Sequence, residues 1–141
     1  MASKYDRTEV KTRKRDVFYS DFDINLNTHP ASGLLIRKTN EAAVRQSLRA
    51  LVMTNLGERL YQPTTGGNIT ATLFEPIDNF TALALEDAIK LTIFNNEPRV
   101  AGTNIKVVAD PLIDSYTVTI NFTVHHSPDV LSTEIVLKRI R

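Results

Sequence analysis

The chain has 141 residues, 42% of them hydrophobic, with 17 basic against 16 acidic side chains and a formal net charge of +1. That length and composition support one domain with one modest core, and the charge balance excludes a wholly disordered, strongly basic or strongly acidic molecule. Cysteine is absent, which excludes disulfides, thiolate zinc sites and thiol catalysis and suits a reducing compartment.

Residues 1–17 lack hydrophobic periodicity and read as a basic N-terminal arm ahead of a single domain over 18–141. Within residues 1–15, Lys4, Arg7, Lys11, Arg13, Lys14 and Arg15 stand against Asp6 and Glu9, so the remainder carries the negative balance. The plain reading is a solubilising terminus; the alternative is contact with nucleic acid or an acidic protein surface. No apolar stretch follows the basic residues, so a secretory signal is not expected. No run reaches the ~18 apolar residues of a membrane helix.

Residues 18–39 read as irregular with short extended pieces. Phe18, Tyr19 and Phe22 are expected anchors, His29–Gly33 a turn, and Leu34, Leu35 and Ile36 a short strand. A first helix follows, with Asn40 as the expected N-cap. Val44, Leu48, Leu51, Val52 and Leu56 form one stripe at helical spacing, with Arg45 and Arg49 off it. Gly57 is placed to end the helix. Residues 58–80 form a connection around Pro63, Gly66, Gly67 and Pro76, pinned to the core by Leu73, Phe74 and Ile77.

A second helix is expected from Ala82 to Asn95, capped by Thr81 or Asn79. Leu85, Ala88, Ile89 and Ile93 make its core stripe. Leu83, Leu91 and Phe94 broaden it, which points to deep burial or, less commonly, to a partner face. Pro98 keeps the helix from running far past Asn96. Tyr116, Val118, Ile120, Phe122 and Val124 alternate with Thr117, Thr119, Asn121 and Thr123, the pattern of a strand with one buried face. Ile105, Val107 and Ala109 suggest a strand before it. Leu131, Ile135 and Leu137 suggest one after it, beyond a turn at Ser127–Asp129 and running almost to Arg141. The expected architecture is α+β: two helices packed on a three-stranded antiparallel meander.

Catalytic motifs are not found. Gly66-Gly67 lacks the spacing and the Lys-Ser/Thr of a phosphate loop. His125 and His126 would face opposite sides of a strand, and His29 lies beside a proline far off, so no metal site and no cofactor are expected. Nothing orders the serines and histidines into a nucleophile elbow. Glycoside hydrolysis needs only two carboxylates, and Glu58, Glu75 and Glu97 are the candidates. Arg59 and Arg99 stand close to two of them, and a contacting cation favours the ionised form, against the role of general acid. Glu97-Pro98-Arg99 is the most distinctive tripeptide: Pro98 fixes the backbone after a helix, and Arg99 projects a planar fork able to grip a carboxylate or several carbonyls. An ordinary helix-end loop is the alternative.

Five stretches now stand in order: Phe18-Tyr19-Ser20-Asp21-Phe22-Asp23; Asn40 to Arg49; Thr54 to Arg59 with Gln62-Pro63; Leu73-Phe74-Glu75-Pro76; and Asn96-Glu97-Pro98-Arg99-Val100. Together they resemble the baseplate wedge and sheath-initiator subunits of contractile phage tails, a family with relatives in the type VI secretion baseplate and an older lysozyme label. The likeness runs from about Phe18 to the C-terminal strand. It implies a structural, non-enzymatic subunit of the virion's tail baseplate, assembled in the bacterial cytoplasm and present in multiple copies in a ring. It implies baseplate wedge proteins and the tail sheath protein as partners, with tail tube or hub proteins as further neighbours, and neither a small-molecule substrate nor a membrane. It carries a partner-binding role to Glu97, Pro98 and Arg99, and a sheath-initiating role by strand exchange to the sheet. The loop at Pro63–Gly67 departs from the family pattern in lacking an aromatic residue, and the basic arm is not a family feature. The rival readings are a peptidoglycan hydrolase of the tail, using Glu97 or Glu58, and a small nucleic-acid-binding module using the arm.

Overall fold

A computed structural model describes residues 16–140; the basic run of residues 1–15 and Arg141 lie outside the described residues. The elements in chain order are β1 (Ser20–Phe22), β2 (Arg37–Thr39), α1 (Glu41–Val52), α2 (Ile69–Thr72), α3 (Asn79–Asn96), β3 (Val100–Asp110), β4 (Ser115–Val124) and β5 (Ser127–Lys138). The expected meander is present as an antiparallel sheet in the order β3-β4-β5. Two features were not foreseen: the pairing of β1 with β2 into a small antiparallel sheet, and the four-residue α2.

Alternation on β4 sets the core. Tyr116, Val118, Ile120, Phe122 and Val124 are buried, while Thr117, Thr119, Asn121 and Thr123 face the other side, half-buried. Register brings Ile105 and Val107 of β3 and Ile135 and Leu137 of β5 onto the same face. Onto it pack Val44, Leu48, Leu51 and Val52 of α1 and Leu85, Ile89 and Ile93 of α3. The alternating strand and the two helical stripes therefore close on one another, which is how each hides its apolar side.

Several boundaries differ from expectation. The short strand lies at Arg37–Thr39 rather than at Leu34–Ile36, of which only Leu35 makes a bridge, to Thr28. Helix α1 stops at Val52, and Leu56 is exposed. The chain turns early because the Thr54 carbonyl accepts from the Gly67 amide, pulling the following loop against the helix end. Gly57, at φ 81°, serves that loop instead, its amide donating to Pro63 O. Of the three expected pins, Leu73 is buried and Ile77 packs against the core, but Phe74 is exposed.

Helix α3 starts at Asn79, and its cap is Asp78, not Thr81 or Asn79: the Asp78 carboxylate accepts from the Thr81 amide at 2.6 Å. Leu83, Leu91 and Phe94 are not buried but exposed, as is Phe80. The turn after β4 is made by His125 and His126, and β5 begins at Ser127, because a register shift at Thr123/Val124 takes up Pro128 and Asp129 within the strand. The strand ends at Lys138.

Candidate functional site

The site is built where the end of α3, the start of β3, the β4–β5 turn and the N-terminal segment meet. Pro98 removes the helical option for Glu97, whose φ of −125° and ψ of 79° end α3. The chain then enters β3 at Val100, so Glu97 and Arg99 point their side chains to the same side across the proline. Arg99 Nε–H donates to Glu97 Oε1 at 2.6 Å and Nη2–H donates to Oε2 at 2.7 Å. A third donor, Ser47 Oγ–H from α1, reaches Oε2 at 2.6 Å. The fork expected to grip a carboxylate thus grips the one two residues away.

Glu97 is 5% exposed. Burial alone would raise its carboxyl; the Arg99 fork and the Ser47 hydroxyl outweigh that and hold it below the usual carboxylate range. The Glu97 hydrogen bonds in turn push the Arg99 guanidinium up, so the pair stays charged. A general acid needs the opposite shift. Glu58 does not pair with Arg59; it accepts from the Asn55 amide at 2.8 Å and lies on the surface, as does Glu75.

Around this pair the N-terminal segment is fastened by side chains. The Arg99 guanidinium sits 5.7 Å from the Tyr19 ring centroid, within cation–π range. The Tyr19 hydroxyl and His126 Nδ1 are hydrogen-bonded at 2.8 Å, and the Phe18 ring stacks on His126 at 4.5 Å. Asn40 occupies the N-cap position of α1, its carbonyl accepting from the Val44 amide at 3.1 Å, but its side chain makes no cap hydrogen bond. Its Oδ1 accepts from the amides of Phe18 and Tyr19, and its Nδ2 donates to Asp16 O. The Asn40 backbone is at φ 48°, a conformation that asparagine tolerates better than most residues. Next to this clamp is an open cleft of about 300 Å³, lined among others by Asp16, Phe18, Glu41, His126 and Asp129. The two histidines occupy a tight turn, not a strand, and His125 contributes its amide to Arg99 O.

Glu97 and Arg99 therefore meet across Pro98 as an internal clasp. Tyr19, Asn40, Ser47 and His126 join it: the sequence reading makes Tyr19 an anchor and Asn40 a cap, weighs His126 only as a metal ligand, and gives Ser47 no role. Three of these lie inside stretches that carried the family likeness, and that shared membership was the available signal.

The sequence model of the baseplate wedge protein gp25 family matches residues 38–129. A curated relative, baseplate wedge protein gp25 of Enterobacteria phage T4, is 31% identical over 117 residues, covering 79% of this chain and 83% of that protein. The chain belongs to the gp25 family. Solved structures agree on the fold. A Geobacter sulfurreducens protein named as a candidate tail lysozyme superposes with a TM-score of 0.63 at 20% identity, over 70% of this chain and 89% of that one. A chain of the anti-feeding prophage baseplate superposes with a TM-score of 0.58 at 21% identity, over 87% of each. The gp25 family match spans α1 to the start of β5 and so includes the clasp, Asn40 and the β4–β5 turn, but not Tyr19.

Proposed function

We propose that this member of the gp25 family is a structural, non-enzymatic subunit of a contractile-tail baseplate, which joins wedge proteins and starts sheath assembly by accepting a strand from the first sheath ring. The observation that carries the reading is an asymmetry between the two edges of the sheet. The Arg139 amide donates to Asp114 O, so odd-numbered residues of β5 bond to β4. By alternation, its even-numbered residues and Thr103, Ile105, Val107 and Ala109 of β3 present their amides and carbonyls outward. On β5 this edge is blunted: Arg49 Nη2 donates to Glu134 O at 3.3 Å, and Pro128 and the bulge disturb its start. Along β3, among the described residues, no hydrogen bond reaches those outward groups. A bare edge is a template for an incoming strand.

The clasp supports a second half of the same reading. It fixes Pro98 and the N-terminal segment as one rigid end, the surface offered to wedge proteins. The lowered carboxyl at Glu97 and the surface positions of Glu58 and Glu75 favour this reading over wall hydrolysis.

The test is electron microscopy of particles carrying Thr103→Pro. Its amide points outward, so proline removes an edge donor without breaking the β3–β4 ladder. Baseplates that contain the protein but lack sheath are the expected result. Normal sheaths on that variant would refute the edge, and normal tails from a strain with a stop codon in the gene would refute the whole reading.

A further inference from the structure

Helix α3 is apolar on two opposite sides. Leu85, Ile89 and Ile93 are buried, while Phe80, Leu83, Leu91 and Phe94 on the far side are 80%, 58%, 61% and 83% exposed. A helix that is apolar all round is a buried one, yet among the described residues nothing covers the outer ridge.

We propose that the ridge is covered by the same ridge of a second copy, packed antiparallel about a two-fold axis at Asp87. The spacing carries the argument. Phe80 and Leu83 stand seven and four residues before Asp87, and Leu91 and Phe94 stand four and seven after it. The ridge therefore reads the same from either end. An axis at Asp87 sets Phe80 against Phe94 of the second copy and Leu83 against its Leu91, the self-complementarity that a two-fold interface requires. Leu83, Asp87 and Leu91 also form one i±4 row, the kind that interdigitates in the commonest class of helix pair.

Charge fits the same arrangement. The axis brings two Asp87 carboxylates together, which alone would repel. Lys90 is exposed one turn further on. In the antiparallel pair it lies against Ala84 of the second copy, within reach of that copy's Asp87, so two crosswise ion pairs offset the repulsion. The four apolar side chains of each copy would bury on the order of 1,000 Å² in total. That is the low end for a specific interface, and it describes a reversible dimer. This pairing goes beyond the baseplate reading and does not rest on it.

Sedimentation velocity of the full chain across a concentration series should show a monomer–dimer equilibrium. Asp87→Lys should weaken association by about tenfold, and Asp87→Lys with Lys90→Asp should restore it. Because the chain has no cysteine, disulfide trapping is clean. Asp87→Cys should cross-link with itself. Phe80→Cys should cross-link with Phe94→Cys and not with itself. All these positions are on the surface, so folding is not at stake. A monomer at every concentration, or a Phe80→Cys self-cross-link, would overturn the proposal.

Discussion

Arg99 meets Glu97 with two parallel hydrogen bonds, at 2.6 Å and 2.7 Å, across a single proline. The geometry is the bidentate one that guanidinium and carboxylate favour. Removing the cation leaves a buried carboxylate with Ser47 as its remaining side-chain donor. Arg99→Met should cost about 2–3 kcal/mol, less than a fully buried pair because Arg99 keeps some solvent contact. Combining it with Glu97→Gln should cost less than the sum of the two single changes. Urea unfolding of the four-member cycle measures this coupling.

Acid should loosen the same clasp. The folded pKa of Glu97 lies below its unfolded value of about 4.3. The contribution is then fully present above the unfolded value and is lost as pH falls through the folded one. Stability of the wild type should decline below about pH 4, and Arg99→Met should flatten that decline. Thermal melts from pH 7 to pH 3 would show it.

Asn40 acts as a piece of backbone for the segment that precedes β1. It accepts two amides and donates to a carbonyl. Asn40→Ala should release Asp16–Tyr19 with a loss of about 1–3 kcal/mol, while Asn40→Asp should keep the two amide contacts and lose only the third. Hydrogen exchange at the Tyr19 amide would separate the two variants.

Gly66 lies at φ 117°, and a Cβ there would meet Thr54 O at 2.5 Å. The loop has no room to retreat, because the next residue, Gly67, is pressed against the Thr92 side chain. Gly66→Ala should therefore cost about 1–3 kcal/mol through backbone strain and overpacking, detectable as a lowered urea midpoint with unchanged slope.

Much of the fold was legible in the residues. The strict alternation from Tyr116 to Val124 gave β4, its buried face and its antiparallel neighbours, since a period of two has one physical meaning. The stripes of α1 and α3 gave the helical layer. The ends were less legible. Leu56 continues a helical spacing that the chain abandons, because the pull of Gly67 on the Thr54 carbonyl comes from a distant loop. Pro98 fixed where α3 stops, whereas its start was misplaced by a few residues because Asn79, Thr81 and Asp78 can all act as caps and only the folded chain orients one of them.

For the site, the Glu97–Arg99 pair could be anticipated from chemistry alone: a fork beside a carboxylate, held by a proline. That it is buried and joined by Ser47 could not, since the burial of Glu97 and the approach of Ser47 depend on how α1 packs beside α3. Asn40 reads locally as a cap; the tertiary structure gave its side chain to a segment more than twenty residues earlier. The outer residues of α3 show the same division. Sequence marked Leu83, Leu91 and Phe94 as apolar on the broad side of a helix, but a hydrophobic pattern states only that a surface wants cover. Which surface receives it within one chain is decided by the number of layers that chain can supply, and the described residues supply one three-stranded sheet, one small two-stranded pair and two long helices.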